Sequence, residues 1–82
     1  MIFRTRPMTA HQIATKYALD RNINLHEWFG TVRTKAVSHP RQDCMRLIYE
    51  QTKLSMPQIG RVFNRDASTV NHSIRASQGR AR

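Results

Sequence analysis

The sequence predicts a small all-α protein, a helical bundle that contains a helix-turn-helix. The segment Ser55 to Ile74 carries two helix-start signals, Ser55 and Asp66, separated by a break in the apolar pattern at Asn64-Arg65. Apolar residues recur at helical spacing before and after that break. A chain of 82 residues forms one domain with room for roughly three to five packed helices.

The first half of the chain begins with a basic arm, residues 1–8. Thr9 and Gln12 form a T-x-x-Q capping box that opens a helix ending near Asp20 to Asn22. The inner stripe of this helix is Ala10, Ile13, Ala14 and Tyr17. A turn at residues 22–24 precedes a short helical piece, residues 25–29, for which Gly30 is the expected C-cap.

The middle of the chain divides into a loop and a long helix. Residues 31–39 lack helical periodicity and predict a basic loop, and Pro40 is expected to start a helix over residues 40–53 with Ser38 or His39 as its cap. The free N–H groups of its first turn, together with Arg41, predict a phosphate seat. The expected inward residues are Cys44, Leu47, Ile48 and Gln51, and the expected outward ones are Gln42, Arg46, Tyr49 and Lys53.

The helix-turn-helix follows and is organised around residues 55–74. Its first helix has Ser55 as cap, Pro57 in the first turn and Gln58 at the capping-box position. Its second helix starts after Asp66. Taking about 100° per residue, Val70, Ser73 and Ile74 face inward, whereas the opposite face carries Ser68, His72 and Arg75, flanked by Thr69 and Asn71. Gly79 is expected to end this helix, so residues 9–78 form the domain and residues 79–82 a basic tail. An ordinary helical hairpin with a solvated polar face is the alternative.

Charge and composition restrict the function. Fourteen Lys and Arg against five acids give a net charge of +9 and a pI near 11.4, which favours a polyanionic partner. The single cysteine, Cys44, permits no internal disulfide and fits a reducing cytosol. We find no membrane-spanning apolar run, no phosphate-binding P-loop, no zinc-type spacing and no grouped catalytic residues. The sequence therefore predicts no enzyme, cofactor, metal site or membrane partner.

Three ordered motifs resemble a known family. Pro40-Arg41-Gln42 is followed by Ser55-Met56-Pro57-Gln58-Ile59-Gly60 and then by Phe63 and Arg65-Asp66-x-Ser68-Thr69-Val70-x-His72. Together they resemble the C-terminal DNA-binding domain (domain IV) of the bacterial replication initiator DnaA, over about residues 9–77. The resemblance implies a Trp-repressor-like helix-turn-helix fold and a monomer that binds short AT-rich boxes in double-stranded DNA. It also implies a cytoplasmic, nucleoid-associated protein of a bacterium or phage that acts in the control of replication or transcription. A protein of the replication machinery is a possible further partner.

The resemblance also assigns expected roles to single residues. Arg33 corresponds to an arginine that enters the minor groove. The other residues expected to contact bases are Met56, Pro57, Asp66, Ala67, Ser68, Thr69 and Asn71. Those expected to contact phosphates are Lys35, Arg41, Gln42, Arg46, Lys53, Arg65 and Arg75. In physical terms the second group supplies affinity and the helix that starts at Asp66 supplies specificity.

Departures from the family pattern leave alternatives open. Ala67 stands where the family has a base-reading histidine, and alanine can touch a thymine methyl but cannot hydrogen-bond. Asn71 replaces an apolar residue and could reach an adenine edge. The turn before Asp66 is one residue shorter and lacks glycines. If the chain is complete, it is expected to be a stand-alone DNA binder without its own ATPase. If it is an excised domain, the segment that regulates its activity is expected in the missing part of the protein. The rival functions are a protein-interaction adaptor with only non-specific DNA affinity and, less favoured, a peripheral membrane binder.

Overall fold

The computed structural model describes residues 9–30 and 34–80, and these residues form helices joined by short turns. The expected all-α architecture is confirmed, with no strand in the described ranges. The predictions for the basic arm 1–8, for Arg33 and for residues 81–82 lie outside the described residues. The helices are α1 (Ala10–Asp20), α2 (Leu25–Trp28), α3 (Lys35–Gln51), α4 (Met56–Phe63) and α5 (Ala67–Arg80).

Two capping boxes set the starts of α1 and α4, as predicted. In α1 the Gln12 N–H donates to Thr9 Oγ1 over 3.2 Å, and the Thr9 N–H donates to Gln12 Oε1 over 2.8 Å. In α4 the Ser55 N–H donates to Gln58 Oε1 over 2.8 Å, and the Gln58 N–H donates to Ser55 Oγ over 3.4 Å. Each box satisfies N–H groups that the helix itself cannot pair.

The connection from α1 to α2 is the expected turn. Asn22 takes a left-handed conformation with φ of 57°, and Asn24 caps α2 by accepting N–H groups from His26 and Glu27 over 2.8 and 3.2 Å. The C-cap of α2 is Phe29 and not Gly30. Gly30 does not have a positive φ, but a Cβ there would lie 2.6 Å from the His26 carbonyl oxygen, so the close approach requires glycine.

The predicted start of the third helix at Pro40 is wrong. Helix α3 begins at Lys35, and the N–H groups of Val37 and Ser38 donate to the Thr34 carbonyl oxygen over 3.0 and 2.7 Å. Proline at position 40 removes one N–H from the helix, and its ring crowds the carbonyl of Ala36, the partner that this N–H would have had. Ala36 is exposed, so water can reach that carbonyl. Burial of the Val37 side chain offsets this loss, so residues 35–39 form helix and not loop.

The predicted end of the last helix at Gly79 is also wrong. Helix α5 continues through Gly79 to Arg80. The Arg80 guanidinium donates to the carbonyl oxygen of His39 and to the side chains of Gln42 and Asp43, all on α3. These contacts hold the last turn of α5 against α3, although glycine is a poor helix former.

The core lies where α3, α4 and α5 meet beneath α1 and α2. Trp28 and Phe63 are fully buried and pack edge to face with ring centroids 5.8 Å apart. Most predicted inner positions are buried or half-buried, but Gln51 is exposed, and Met45 is buried although it was not predicted. The buried hydrophobic residues are Ala14, Ala18, Trp28, Val37, Cys44, Met45, Ile48, Ile59, Phe63, Val70 and Ile74.

The turn between α4 and α5 is short and tightly packed. Asn64 ends α4 in the left-handed conformation, with φ of 57° and ψ of 45°. Gly60 lies directly beneath the turn, and a Cβ there would overlap the carbonyl oxygen of Arg65. A residue with a side chain at this position would push the two helices apart, so glycine at position 60 fixes the geometry of the helix-turn-helix.

Candidate nucleic-acid interface

The start of α5 is fixed by a side-chain cap. Asp66 Oδ1 accepts the Thr69 N–H over 2.8 Å, as predicted for an N-cap. Hydrogen bonds from Thr69, first from its side chain and then from its backbone, lower the pKa of the Asp66 carboxyl. Asp66 is therefore ionised near neutral pH and lies at the positive end of the helix dipole, where a negative charge is favourable.

Helix α5 presents one polar face to solvent. Val70, Ser73, Ile74 and Ser77 are buried against α3 and α4. The exposed residues of the opposite side are Ser68, Thr69, His72 and Arg75. Ala67 and Asn71 are half-buried at the edges of this side. The predicted division of the helix into inner and outer faces is confirmed.

Arg65 holds the turn in place by donating to backbone carbonyls. Its Nη1 donates to the carbonyl oxygens of Phe63 and Asn64 over 3.2 and 3.3 Å, and its Nη2 donates to the carbonyl oxygen of Gly30. The side chain is half-buried. Arg65 thus connects the helix-turn-helix to Gly30, which immediately precedes residues 31–33.

Arg41 has a similar structural role at a more buried position. Its side chain is 6 % exposed, and its Nη1 donates to the carbonyl oxygens of Trp28 and Glu27 over 3.2 and 3.4 Å. Burial, and secondly the charge of Arg65, lower the pKa of Arg41. The predicted phosphate seat at a helix start is wrong, because α3 begins at Lys35 and Arg41 lies in its second turn.

A groove lies between α3 and the first turns of α5. Its volume is about 380 Å³, and its lining residues are Ser38, Arg41, Gln42, Met45, Arg65, Thr69, His72 and Ser73. Its polar lining consists of two guanidinium groups, one imidazole, three hydroxyls and one amide. Such a set of hydrogen-bond donors suits an anion, and a phosphate oxygen would relieve the repulsion between Arg41 and Arg65.

Comparison with known proteins identifies the family. A family model described as "Bacterial dnaA protein helix-turn-helix" matches residues 10–76, most of the chain. The chain belongs to this DnaA helix-turn-helix family. Its helix-turn-helix geometry and its family membership both support DNA binding.

The curated relatives are all much longer proteins. The chain is 39 % identical over 70 residues to the chromosomal replication initiator protein DnaA of Thermoanaerobacter sp. (strain X514), covering 85 % of this chain and 16 % of the relative. It is 38 % identical over 71 residues to that of Cereibacter sphaeroides (strain ATCC 17029 / ATH 2.4.9), with the same coverage. It is 40 % identical over 70 residues to that of Gluconobacter oxydans (strain 621H), covering 84 % of this chain and 15 % of the relative. The chain thus spans about one-sixth of these relatives' length.

The residues predicted from the DnaA resemblance are only partly brought together. Arg41, Gln42, Arg65 and Thr69 share the groove, whereas Asp66, which caps α5, and Ser68 and Asn71 on α5 lie outside its lining. The remaining predicted residues in the described ranges lie outside the groove lining: Lys35, Pro57, Lys53 and Arg75 are exposed, whereas Arg46, Met56 and Ala67 are half-buried. Met56 packs against the core and Pro57 is exposed in the first turn of α4.

Several residues of this surface were not among the predicted site residues, including the lining residues Met45 and Ser73. His72 and Ser38 line the groove, and Arg80 binds Gln42 at its edge. His72 could have been found, because it lies on the outer face of α5 with Ser68 and Arg75. Ser38 and Arg80 were missed because both helix boundaries were placed wrongly.

Other kinds of site have no support in the described part of the chain. Burial raises the pKa of the Cys44 thiol to about 12, so this cysteine is an inert core residue. No group of three or more metal-ligating side chains is found in residues 9–30 and 34–80. Within the same ranges, no helix is long and apolar enough to cross a membrane.

Proposed function

We propose that this DnaA-type domain binds double-stranded DNA sequence-specifically, at a short AT-rich site similar to a DnaA box. The single observation that carries the proposal is the exposed polar face of α5. The helix begins after the Asp66 cap, and its polar face lies opposite the side that packs against the core. In a helix-turn-helix, the N-terminal residues of the second helix reach base edges in the major groove. In this chain those residues are Ser68, Thr69 and Asn71, with Asp66 and Ala67 at the helix start.

The basic groove supplies the affinity that does not depend on sequence. Arg41, Arg65 and Gln42 line it next to α5, so a phosphate of the DNA backbone can sit there while α5 lies in the major groove. Exposed Lys35, Lys53 and Arg75 extend the positive surface, and the net charge of +9 favours the encounter with a polyanion. Phosphate contacts of this kind set the register of the protein on the duplex.

Arg33 is proposed to read the adjacent minor groove. It lies outside the described residues and immediately precedes Thr34, the N-cap of α3. Narrow AT-rich minor grooves concentrate negative potential and attract arginine. We expect Arg33→Ala to weaken binding most on AT-rich duplexes, measured against GC-rich duplexes of equal length. An equal loss on both would overturn this role.

A protein-interaction adaptor is the second candidate function. Ala67 favours it, since a half-buried methyl group at the helix start offers no hydrogen bond to a base. The curated relatives are named chromosomal replication initiators, so a partner in replication is the natural proposal for either function. A monomer on an asymmetric site, in the cytoplasm and near the nucleoid, remains part of the DNA-binding proposal.

Fluorescence anisotropy with three labelled duplexes tests the proposal. The duplexes are a DnaA-type box, its shuffled version and a pool randomised across the box, each measured at low and near-physiological salt. A preference for the box, or enrichment of one sequence from the pool, that persists as salt rises would establish base readout. Equal affinity for all three that vanishes as salt rises leaves only phosphate contacts and favours the adaptor.

A further inference from the structure

Arg80, at the end of α5, joins three groups of α3. Its Nη1 donates to Gln42 Oε1 over 2.5 Å, and its Nη2 donates to Asp43 Oδ1 over 2.9 Å and to the His39 carbonyl oxygen over 3.1 Å. Asp43 Oδ1 also accepts the Ser77 hydroxyl over 2.6 Å, so two side chains of α5 hold this carboxylate. Arg80 itself is not among the groove-lining residues, whereas Gln42 is.

The chemistry of the Gln42–Arg80 contact orients the Gln42 amide. An arginine side chain has donors only, so the amide must turn its oxygen toward Arg80. The two N–H donors of the amide are then directed away from Arg80. A free glutamine offers an oxygen or an NH2 group equally well, but a phosphate accepts only from the NH2 group.

The same guanidinium compensates an acid near the groove. Asp43 follows Gln42 directly, and its charge would repel a phosphate bound in the groove. Arg80 pairs with this carboxylate over 2.9 Å, with side chains 32 % and 38 % exposed. Such a half-exposed ion pair contributes little to stability by itself, so its geometry points to a positioning role more than to a stabilising one.

We propose that Arg80 is a positioning residue for DNA binding, which turns the NH2 group of Gln42 toward the groove and holds it ready for a phosphate of the duplex. This inference rests on the proposed DNA-binding function. Arg80 acts through Gln42 and makes no contact with the DNA itself.

A double-mutant cycle on DNA affinity tests this role. The variants are Arg80→Ala, Gln42→Ala, the double variant and Arg80→Lys, all measured by anisotropy on the best-bound duplex over a series of salt concentrations. The control is Arg21→Ala, which removes one exposed positive charge stacked on Tyr17 at the end of α1. Circular dichroism confirms that each variant is folded at the temperature used.

The expected result is non-additivity. Arg80→Ala and Gln42→Ala should each weaken binding by about threefold to tenfold, the value of one hydrogen bond, and the double variant should be no weaker than Gln42→Ala alone. Arg80→Lys should keep the salt slope of the wild type but show most of the affinity loss, because an ammonium ion does not reproduce the guanidinium fork. Arg21→Ala should have a smaller effect than Arg80→Ala.

Two results would overturn the inference. Additive losses, with a salt slope lower by about one unit in Arg80→Ala, would mean that Arg80 contacts a phosphate directly. A loss in Arg80→Ala equal to that in Arg21→Ala would mean that only net charge matters. Either result leaves the proposed function standing if the wild type binds duplex DNA. A wild type that binds no duplex overturns the proposed function itself.

Discussion

The basic side chains of the described residues occupy two different environments. Arg41 and Arg65 lie in the wall of the groove, where their guanidinium groups donate to the backbone carbonyls of residues 27, 28, 30, 63 and 64. Lys35, Lys53 and Arg75 are exposed at the surface. The difference shows that the high positive charge serves two purposes, because part of it builds the fold and part of it is free to meet a polyanion.

The chemistry of the guanidinium group suits the first environment, although Arg75 shows that arginine also occurs in the second. A guanidinium has five donors in a planar fork and can satisfy several carbonyls at once, whereas an ammonium ion is compact and strongly hydrated. The arginines of the wall therefore carry their charge at fixed positions beside α5, and the exposed lysines carry theirs on flexible stems. We expect substitution to lower the stability of the fold in the first group, in addition to any effect on phosphate binding, and to lower only the salt-dependent affinity in the second.

The largest expected effect comes from Arg41→Ala. The change removes the donor to the Trp28 and Glu27 carbonyl oxygens and the packing of a side chain that is only 6 % exposed. We expect the free energy of unfolding to fall by about 2–4 kcal/mol, measured by urea denaturation followed by circular dichroism. Arg41→Lys should recover little of the lost free energy of unfolding, because an ammonium group cannot reproduce the planar set of donors of a guanidinium.

The matched control for Arg41→Ala is Arg75→Ala, which removes the same charge from an exposed site on α5. Its free energy of unfolding should stay within about 0.5 kcal/mol of the wild type. Equal destabilisation by the two variants would contradict the division into structural and free charges.

The same division explains how far the sequence could predict the fold. The starts of α1, α4 and α5 were predicted because each cap is a bond between residues three positions apart, such as Thr9 with Gln12 and Asp66 with Thr69. The start of α3 and the end of α5 were wrong because distant contacts decide them. Val37 is buried in the core, and Arg80 binds residues 37 to 41 positions away.

The candidate site shows the same limit. The outer face of α5 follows from helical periodicity, so Ser68, Thr69 and His72 could be placed before the structure was known. The partners of Arg41 and Arg65 include carbonyls up to 35 residues away, and nothing in the local sequence points to them. The sequence therefore predicts where positive charge occurs but not which charged side chains also hold the fold together.

The next largest effect is expected from Lys35→Ala. Lys35 is exposed in the first turn of α3, so its removal should leave the free energy of unfolding within about 0.5 kcal/mol of the wild type. It should weaken binding to all duplexes alike and lower the salt slope by about one unit. Anisotropy titrations on the box and on its shuffled version measure both.

The control for Lys35→Ala is Lys16→Ala, on the exposed surface of α1, where Lys16 pairs with Asp20 over 2.8 Å. The salt slope of this variant should match that of the wild type. A loss confined to one of the two duplexes in Lys35→Ala would mean that Lys35 reads sequence and is not a free charge.

Asp66→Asn should produce the smallest effect, because Asp66 is exposed and asparagine can keep its bond to the Thr69 N–H. Hydrogen bonds from Thr69 hold the pKa of the Asp66 carboxyl below its ordinary value. The stabilisation that this carboxylate contributes is therefore present above its unfolded-state pKa and is lost as the pH falls through its folded-state pKa. Asparagine is also a good N-cap but carries no charge. Asp66→Asn should therefore be slightly less stable than the wild type at pH 7, and the two proteins should become equally stable in acid.

Thermal unfolding of both proteins from pH 7 to pH 2 measures this difference in stability. The other carboxylates are the same in both proteins, so their contributions cancel in the difference. A gap that stays constant over the whole pH range would show that the cap acts by shape alone.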